Sequence, residues 1–516
     1  MNSLIQRLMR PDAYDHPITR FELLETHISW VILTGPFAYK LKKPVNLGFV
    51  DFTTLDRRFH FCQEEIRLNR RLAPDMYLAV KPIHGPVETP SFSGTGEPIE
   101  YAVQMRQFDQ TALLPAVLKR GELQRAHMDV LARTIARFHS QATVADDKGD
   151  FGTPEQICRF ALDNFESLEA TGVAKSQVAA LRDWTEAEFS RRNDWFQSRL
   201  QNGQIRECHG DMHLGNMVLQ NNIVEIFDCL EFNPELRWID IISEVAFLAM
   251  DLQDRGRPDF ALHVTNRWLE QTGDFDGLMG WRWYMTYRAA VRAKVAGLRL
   301  RQEDLTDDER TQKRAEVQDY LTLAHSYTRD RSPVVVIMQG LSGSGKSAIA
   351  EWICENHSSI LTRSDIERKR LFGLWGAASH VRRQGNLYAT EVTETLYRQT
   401  LADIVRSSLA AGLSIVVDAT FLKRWQRDFY RQLSESAGAD FVIVQTQASQ
   451  QTLRNRITLR QQASSDPSDA TIEVMQRQAE VQEALAEDEL SSTVVIDTEK
   501  SNYLADLKIA LQRWFP

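Results

Sequence analysis

At 516 residues the chain is too long for a single hydrophobic core, and its length favours roughly two to four domains. Hydrophobic residues make up 43% and charged residues 25%, as in ordinary globular proteins, and the formal net charge of −9 argues against a non-specific nucleic-acid binder, which needs a basic surface. The five cysteines form no C-x-x-C pair and no apolar run is long enough to cross a bilayer, so we expect a cytoplasmic protein with reduced thiols, no zinc site and no membrane partner.

The first part of the chain predicts a small sheet with one helix. Trp30–Leu33 and Phe37–Leu41 are expected to be strands joined by a turn at 34–36, and Tyr101–Met105 a further strand. Leu55–Leu72 is predicted to be a helix because its apolar residues recur along one stripe. This pattern is typical of a small lobe.

From there to about residue 328 the chain is predicted to be mainly helical, including a helix over Trp281–Leu300. Another helical stripe is formed by Leu123, Met128, Leu131, Ile135 and Phe138. Charged residues, serine and proline then predict a linker at 329–333. We therefore expect a first domain over 1–328, with a small lobe at about 1–108 and a helical lobe at about 109–328, and a second domain over 334–516.

Beyond the linker, short apolar strands alternate with helices. The predicted strands are 334–338, 358–362, 414–418, 441–446 and 493–496. Alternation of this kind predicts a parallel sheet covered by helices, a three-layer α/β/α domain.

The sequence HGDMHLGN, which begins at His209, has the residue types that phosphoryl transfer from ATP requires. That reaction needs a carboxylate near the acceptor hydroxyl, oxygen ligands for Mg²⁺ and a cation on the phosphates. Asp211 is predicted to be the base, and Asn216 and Asp228 are predicted to bind the metal. His209 and His213 are expected to hold the shape of the loop.

The phosphate-binding cation is expected on the strand that precedes the first long helix. Lys40 is the favoured residue, although Lys42 points the same way on an alternating strand. Its acidic partner is expected on the following helix, where Glu65 is favoured over Glu64. The backbone of Gln104–Arg106 is predicted to be the hinge that meets the adenine.

The spacing H-G-D-x-H-x-x-N, with a second aspartate shortly after it, resembles the aminoglycoside phosphotransferase and choline kinase family over roughly residues 20–325. The resemblance implies a two-lobed, protein-kinase-like α+β fold, ATP and Mg²⁺ as cofactors, and a role for Asp240 in steadying the catalytic loop. Gly210 stands where protein kinases usually have arginine, which favours a small-molecule acceptor over a protein. The metal segment is Asp228-Cys229-Leu230, and the turn at 26–29 replaces a glycine-rich loop.

The segment GLSGSGKS, from Gly340 to Ser347, follows a buried strand and opens a helix, which is the context of a P-loop. Glycines allow the backbone N–H groups to point inward, and the helix N-terminus adds positive potential. Lys346 is predicted to contact the β- and γ-phosphates and the Ser347 hydroxyl to bind Mg²⁺. The other predicted nucleotide-binding residues of this loop are Gly340, Gly343, Ser344 and Gly345.

Acceptor and metal residues are predicted after the next two strands. Asp365 is placed to take a proton from an acceptor hydroxyl, and Arg368, about one turn later, to hold an anionic acceptor. Asp418 lies at the carboxyl end of a strand, where open α/β sheets bind ligands, and is predicted to orient Mg²⁺ or its waters.

A basic helix near the C-terminus predicts a lid. Arg454, Arg456 and Arg460 precede the serine- and aspartate-rich loop Ser464–Asp469, and such a helix and loop can close over phosphates. Arg454 and Arg460 are the predicted phosphate ligands, and the sequence leaves open which lid arginine makes the contact.

These motifs resemble the small P-loop kinases, including gluconate kinase, zeta toxin and the polynucleotide 5′-hydroxyl kinase, over about residues 334–500. A broader name for such a region is an AAA-type ATP-binding domain. The resemblance to the polynucleotide kinase implies that Asp365 is the base and that Arg368 binds a phosphate of the acceptor.

Two ATP sites on one chain predict a bifunctional phosphotransferase, in which each domain transfers the γ-phosphate of ATP to a hydroxyl of an unknown small molecule. One alternative is a nucleic-acid 5′-hydroxyl kinase in the C-terminal domain. Another is an ATP-binding regulatory module that controls the other domain. The sequence decides neither the acceptors nor whether the two sites act in succession.

Overall fold

The computed structural model describes residues 3–48, 50–300, 305–330, 332–376, 386–463 and 471–515. Arg331 of the predicted linker and the predicted lid loop Ser464–Asp469 lie outside these residues. Within the described ranges, no helix is both long and apolar enough to cross a membrane.

The helices and strands follow the predicted order. The α-helices are α1 (Ser3–Leu8), α2 (Leu55–Asn69), α3 (Leu114–Lys119), α4 (Arg125–Gln141), α5 (Pro154–Glu169), α6 (Lys175–Arg191), α7 (Asn193–Gln201), α8 (Ile241–Asp254), α9 (Pro258–Thr272), α10 (Trp281–Arg299), α11 (Asp307–Thr328), α12 (Lys346–His357), α13 (Ser364–Leu371), α14 (Thr390–Thr395), α15 (Leu401–Ala410), α16 (Arg424–Ser436), α17 (Gln450–Ala463), α18 (Ile472–Val481), α19 (Glu487–Leu490) and α20 (Tyr503–Leu511). The strands are β1 (Glu22–Glu25), β2 (Ser29–Leu33), β3 (Phe37–Lys42), β4 (Tyr77–Ile83), β5 (Glu100–Arg106), β6 (Ile205–Glu207), β7 (Met217–Gln220), β8 (Ile223–Ile226), β9 (Trp238–Asp240), β10 (Val334–Gln339), β11 (Ile360–Arg363), β12 (Ile415–Asp418), β13 (Asp440–Gln447) and β14 (Thr493–Asp497). A π-helical segment, Leu396–Thr400, joins α14 to α15.

The chain divides into two compact units. Unit 1 consists of Met1–Val130, Gln141–Ile157 and Phe196–Asp251, and unit 2 of Leu131–Ser140, Cys158–Trp195 and Leu252–Pro516. Unit 2 thus combines the parallel sheet with helices from before residue 328. The domain limits 1–328 and 334–516 drawn from the sequence therefore stay a prediction.

The larger sheet of unit 1 is antiparallel, with strand order β1-β2-β3-β5-β4. Alternation along β3 sends Tyr39 and Leu41 to one face, into a core that includes Ile5 of α1. Helix α2 packs against β4 and β5, where Cys62 and Val103 are buried. Successive residues of β3 therefore face either an aromatic core or the other side of the sheet.

The rest of unit 1 contains two short strand pairs, β6 with β9 and β7 with β8, and the helix α8. A buried ion pair fixes this part, because the Arg199 guanidinium donates to both carboxylate oxygens of Asp240 at 2.7 and 2.8 Å. The bidentate geometry of this pair holds α7 against the end of β9. Between β6 and β7 the chain forms the predicted catalytic loop.

The sheet of unit 2 is parallel throughout, with strand order β11-β12-β10-β13-β14. On one face, Val336 and Met338 of β10 pack with Ile349 and Ile353 of α12. Helices α15 and α16 contact β12, β10 and β13. The predicted fold class is confirmed: an antiparallel sheet and helices come first along the chain, and a three-layer α/β/α part with a parallel sheet follows.

Helix α9 lies along β11, the edge strand of the parallel sheet. The Asn266 side chain accepts a hydrogen bond from the Leu361 N–H at 3.0 Å and donates one to the Ser359 carbonyl at 3.3 Å. An edge strand otherwise presents unpaired backbone groups, and this side chain satisfies two of them. A residue that precedes the predicted linker thus completes the edge of the sheet.

The C-terminal helix α20 offers a test of the packing in unit 2. Leu507 is fully buried in the core with β10 and α12, so Leu507→Ala is expected to lower the free energy of unfolding by about 2–5 kcal/mol. Ile509, on the same helix, is 68% exposed, so Ile509→Ala is the matched control and is expected to change little. Urea unfolding of the full chain measures both, and equal losses would contradict the docking of α20.

Candidate functional site

A cavity of 260 Å³ opens within unit 1 between the antiparallel sheet and the predicted catalytic loop. Its lining includes Lys40, Asn216 and Asp228, three of the residues predicted to bind ATP and metal. Thr26, from the turn that takes the place of a glycine-rich loop, also lines it. Residues far apart in the sequence are therefore brought to one concave surface.

The strand end at this cavity includes two of the three residues of the predicted hinge and continues beyond it. Met105, Arg106, Gln107 and Phe108 line the cavity, whereas the Gln104 side chain is buried and donates to the Tyr39 hydroxyl at 3.0 Å. Side chains alternate on β5, so Gln104 and Tyr39 lie on the opposite face of the sheet from the cavity.

Two lysines of β3 share one buried glutamate. Lys40 Nζ lies 2.6 Å from Asp228 Oδ1 and 2.8 Å from Glu65 Oε1. Lys42 Nζ lies 2.7 Å from Glu65 Oε2 and also contacts Glu231. The Lys42 and Glu65 side chains have no exposed surface, but Lys40 keeps 12% of its side-chain surface and lines the cavity. Of the two candidates, Lys40 is the one that reaches the cavity.

The alternative acidic partner, Glu64, faces elsewhere. Its carboxylate accepts hydrogen bonds from the Arg67 guanidinium at 2.8 and 2.9 Å, and it lies 3.5 Å from Arg237. The side chain of Glu64 is 20% exposed. Glu65 is the glutamate of α2 that meets the lysines.

The pKa values in this cluster reflect burial opposed by neighbouring charge. Burial alone would raise the pKa of Glu65, but the attraction of Lys40 and Lys42 outweighs it and holds that pKa at about 2. Burial would lower the pKa of Lys40, yet Asp228 and Glu65 keep it well above its usual range. Both groups are therefore charged at neutral pH.

The catalytic loop gathers its polar residues around Asp211. The Asn216 Nδ2 donates to the Asp211 carboxylate at 3.0 Å and to the Asp211 carbonyl at 3.0 Å, which leaves the amide Oδ1 for another partner. His213 Nε2 lies 3.4 Å from the carboxylate, and its Nδ1 accepts from the Gly215 N–H. Asp211 keeps 31% of its side-chain surface. A partly exposed carboxylate held in this way is available to an acceptor hydroxyl.

His209 has a structural position beneath the loop. Its Nε2 lies 2.9 Å from the Phe227 carbonyl and its Nδ1 accepts from the Asp211 N–H at 3.3 Å. Burial lowers its pKa, so the ring is neutral at neutral pH. Because Asp228 follows Phe227, this contact ties the predicted base to the predicted metal segment.

Two buried acids of α8 support the loop and were missed in the sequence. The Glu244 carboxylate accepts from the N–H groups of His209 and Gly210 at 2.8 and 2.7 Å, and Asp251 accepts from the Leu214 N–H at 2.8 Å. The signal was present, because two acids seven residues apart share one face of a mostly apolar helix. Asp240, predicted to steady the loop, pairs with Arg199.

Gly210 has a backbone reason to be glycine. Its φ is +88°, a conformation that residues with a side chain rarely adopt. A Cβ atom there would lie 2.9 Å from the Leu236 carbonyl oxygen. An arginine at this position, as in protein kinases, does not fit the loop.

A larger cavity of 650 Å³ lies within unit 2 at the P-loop. Gly343, Gly345, Lys346 and Ser347 line it, and Ser344 beside them donates or accepts a 2.6 Å hydrogen bond with Thr446. The backbone at Gly343 has φ +84°, and a Cβ atom there would lie 2.9 Å from the Leu453 carbonyl. The loop therefore curls in a way that requires glycine.

Lys346, Ser347 and Asp418 meet at the floor of this cavity. Lys346 Nζ donates to the Leu341 carbonyl at 2.9 Å, and Ser347 hydrogen bonds to Asp418. Burial lowers the pKa of Lys346 and raises that of Asp418, and the attraction of the opposite charges works against both shifts. A hydroxyl and a buried carboxylate are hard oxygen donors, so this pair fits Mg²⁺.

The predicted acceptor residues line the same cavity. Asp365 and Arg368 lie on α13, and Arg368 donates to the Leu387 carbonyl at 3.0 Å and lies 4.9 Å from the centre of the Tyr388 ring. Arg368 is buried, and its Nε has no hydrogen-bond partner among the described residues. The structure thus brings Asp365 and Arg368 together with the P-loop.

The lid arginines divide by the face of α17 on which they lie. Arg456 and Arg460, four residues apart, line the cavity, whereas Arg454 is exposed and does not. Arg456 donates to the Gly343 carbonyl at 3.3 Å and to Thr498. Arg477 of α18 also lines the cavity, and nothing in its sequence context had marked it.

The comparisons with known proteins agree with a nucleotide-binding C-terminal part. A family model described as an AAA domain matches residues 335–485. An uncharacterized protein of Mycobacterium tuberculosis is 29% identical over 470 residues, which cover 89% of this chain and 90% of that protein. The same figures hold for an uncharacterized protein of Mycobacterium bovis.

Solved structures match separate parts of the chain. A choline/ethanolamine kinase family protein from Mesorhizobium loti has 12% identity and a TM-score of 0.37, covering 63% of this chain and 98% of that one. A gluconokinase from Sinorhizobium meliloti 1021 has 21% identity and a TM-score of 0.26, covering 36% and 95%. Because these TM-scores are low, the fold of this chain is established by its own strand order and loop geometry.

The charge cluster around Glu65 predicts an acid-sensitive unit 1. The pKa of about 2 lies below the ordinary 4.5, so the stabilisation is present above pH 4.5 and is lost as the pH falls towards 2. Glu65→Gln is expected to lower the free energy of unfolding at pH 7 by roughly 3 kcal/mol and to flatten its decline below pH 4.5. Urea unfolding at pH 7 and pH 3 measures this.

Glu64→Gln is the matched control for that measurement, since Glu64 is the neighbouring residue but lies partly in solvent with Arg67. It is expected to have a smaller effect at both pH values. Equal losses for the two variants would contradict a special role of Glu65.

Proposed function

We propose that this chain is a bifunctional ATP-dependent phosphotransferase that transfers the γ-phosphate of ATP to hydroxyl groups of two acceptors. One observation carries the proposal: each of the two cavities collects a lysine and oxygen ligands for a metal from separate segments of its unit, with an aspartate close by. In unit 2 that aspartate, Asp365, lines the cavity, and in unit 1 Asp211 accepts a hydrogen bond from the cavity residue Asn216 at 3.0 Å. If the motifs were only structural turns or solvent-exposed charges, there would be no reason for the same set of residue types to occur at both sites.

In unit 1, Lys40 binds phosphate oxygens, and Asp211 accepts the proton of the acceptor hydroxyl. The acceptor oxygen then forms a bond to the γ-phosphorus while the bond from that phosphorus to the bridging oxygen of ADP breaks. Asn216 Oδ1 and Asp228 would hold Mg²⁺, which neutralises phosphate charge when bound. Lys40 must leave Asp228 to engage the nucleotide, so ATP and metal binding are expected to be mutually dependent.

In unit 2, the P-loop backbone and Lys346 bind the phosphates, and Ser347 and Asp418 would hold Mg²⁺. Asp365 accepts the acceptor proton, and the bond changes are the same as in unit 1. Arg460 of α17, which lines this cavity, is the proposed ligand of the transferred phosphate. We also propose a cytoplasmic location, which the five free cysteines support.

The acceptor of unit 2 is proposed to carry an anionic group. Buried Arg368 has a donor without a partner in the described residues and lies beside Tyr388 in the same cavity as Asp365. A guanidinium and an aromatic ring suit a phosphate with an adjoining ring. This arrangement favours, as a second candidate, the 5′-hydroxyl end of a nucleic acid or nucleotide.

Product-specific loss is the main prediction. Asp211→Asn is expected to lower one labelled product about 10²–10⁴-fold because the acceptor proton loses its base, and Lys346→Ala is expected to remove a different product. The measurement is transfer of labelled γ-phosphate from Mg-ATP into a cell-extract metabolite pool and into a 5′-hydroxyl oligonucleotide. Within each variant the surviving product is the control for folding.

Undiminished labelling of both products in both variants would contradict the proposal. Measurable ATP binding without any acceptor-dependent product would favour the regulatory alternative. Labelling of the oligonucleotide that depends on Lys346 would assign the acceptor of unit 2 to nucleic acids.

The two lid arginines give a matched pair of variants. Arg460→Ala is expected to weaken Mg-ATP binding at the P-loop by about tenfold or more, since a hydrogen bond to a charged group contributes about 1.5–3 kcal/mol. Arg454→Ala, on the exposed face of the same helix, is expected to leave it unchanged. Nucleotide titration measures both, and equal weakening would contradict the proposed phosphate contact.

A further inference from the structure

A closed ring of four charged side chains joins α9 to the P-loop elements within unit 2. Arg267 donates to Glu270 at 2.7 Å and to Glu351 at 2.6 Å. Arg363 donates to the same oxygen of Glu351 and lies 3.4 Å from Glu270 Oε1. Two members belong to α9, ahead of the predicted linker, and two belong to the P-loop part of the chain.

The ring borders the candidate active site, because Arg363 lines the cavity. Glu351 is five residues after Lys346 on α12, and Arg363 is the last residue of β11, two residues before the predicted base Asp365. Arg363 Nε lies 3.9 Å from Asp418 Oδ2. One member of the ring therefore lies within ion-pair distance of a predicted metal ligand.

Backbone contacts extend this attachment along α13. The Glu270 carbonyl accepts from the Arg370 guanidinium at 2.6 Å and from the Trp375 indole N–H at 2.9 Å. Arg370 also pairs with Glu367 at 3.0 Å. The last turn of α9 thus holds both the start and the end of the helix that carries Asp365 and Arg368.

Arg363 lies among charged side chains that form opposite pairs. Two arginines and two glutamates close the ring, and Asp418 and Lys346 form a further opposite pair. Arg363, whose side chain is 12% exposed, lies within reach of three carboxylates, those of Glu270, Glu351 and Asp418. The charges on the ring carboxylates therefore determine how strongly Arg363 pairs with Asp418, where it would compete with a metal ion.

We infer that Glu270 is a positioning residue of the P-loop site: it engages Arg363 on the far side of the guanidinium from Asp418, limits the pairing of Arg363 with Asp418 to a distance of 3.9 Å, and so leaves that carboxylate available to Mg²⁺. The inference rests on the proposed Mg-ATP site of unit 2. It adds to that proposal a residue from outside the P-loop segment. Loss of the Glu270 charge would turn Arg363 towards Asp418 and add positive potential beside the metal, and both effects weaken metal binding.

The test is the Mg²⁺ dependence of nucleotide binding by the full chain. A fluorescent ATP analogue is titrated at increasing Mg²⁺ concentrations, with and without Lys346→Ala in the background of each variant. The binding signal that Lys346→Ala removes is assigned to the P-loop site. Glu270→Gln, which keeps the shape of the side chain, is expected to raise the half-saturating Mg²⁺ concentration by about tenfold, as for other residues that orient a metal ligand. Binding of the analogue without Mg²⁺ is expected to change little.

Two further variants separate positioning from general support. Glu355 of α12 lies 3.7 Å from His263 of α9, so Glu355→Gln removes a charge from the same pair of helices but not beside Arg363, and its half-saturation is expected to stay within about twofold of wild type. Arg267→Gln breaks the ring but frees Glu270 and Glu351 for Arg363, so its half-saturation is expected to stay the same or to fall.

Opposite behaviour of Glu270→Gln and Arg267→Gln would support the inference. A similar rise in half-saturation for both, or for Glu355→Gln as well, would overturn it and leave α9 with a purely structural role. Absence of Lys346-dependent Mg-ATP binding in the wild type would overturn the proposed function of unit 2 and this inference with it.

Discussion

Glu65 carries its charge in a place with no exposed surface, and a lone carboxylate there would be strongly destabilising. Lys40 and Lys42 approach it from alternate positions of β3, so charge as well as apolar packing fixes that strand relative to α2. Because Lys42 lies between two buried carboxylates, Lys40 is the lysine left at the cavity beside Asp228. The position of the candidate phosphate-binding cation thus follows from the need to neutralise one buried acid.

In unit 2 the direction of the strands determines where the candidate site residues lie. Gly340 follows β10, Asp365 follows β11 and Asp418 ends β12, and these three parallel strands are neighbours in the sheet. The carboxyl ends of parallel strands meet at one edge, so residues about 80 positions apart in the chain line one cavity. Their buried charges are again neutralised in pairs, with Lys346 and Arg363 near Asp418.

The sequence was sufficient where the chemistry is local. The strand and helix around the P-loop, the alternation that puts Lys40 and Lys42 on one face, and the acids after β11 and β12 all depend on short-range patterns. The residue roles assigned to these positions stay predictions. The choice between Lys40 and Lys42 needed the depth of each side chain in the fold, which a pattern of alternation does not contain.

Residues that act across the fold were harder to predict. Glu244 supports the loop from α8, and only its occurrence in an apolar helix marks it. Arg477 lines the cavity and Arg454 does not, because of the way in which α17 and α18 pack. The helical period gives only the relative positions of residues on one helix, so it does not predict this difference. Sequence patterns therefore located the motifs but not the side chains that support them.

The edge of the parallel sheet depends on residues that precede the predicted linker. The predicted linker at 329–333 has the residues of a boundary, yet two side chains of α9 reach past it to β11. Asn266 bonds to the Leu361 N–H and to the carbonyl just before the strand, and Glu270 lies beside its last residue. A β11 edge without α9 would expose unpaired N–H and C=O groups and leave Arg363 with one carboxylate fewer. The physical completeness of the P-loop part thus depends on a helix that precedes the linker, because buried polar groups require their partners regardless of where the sequence changes in character.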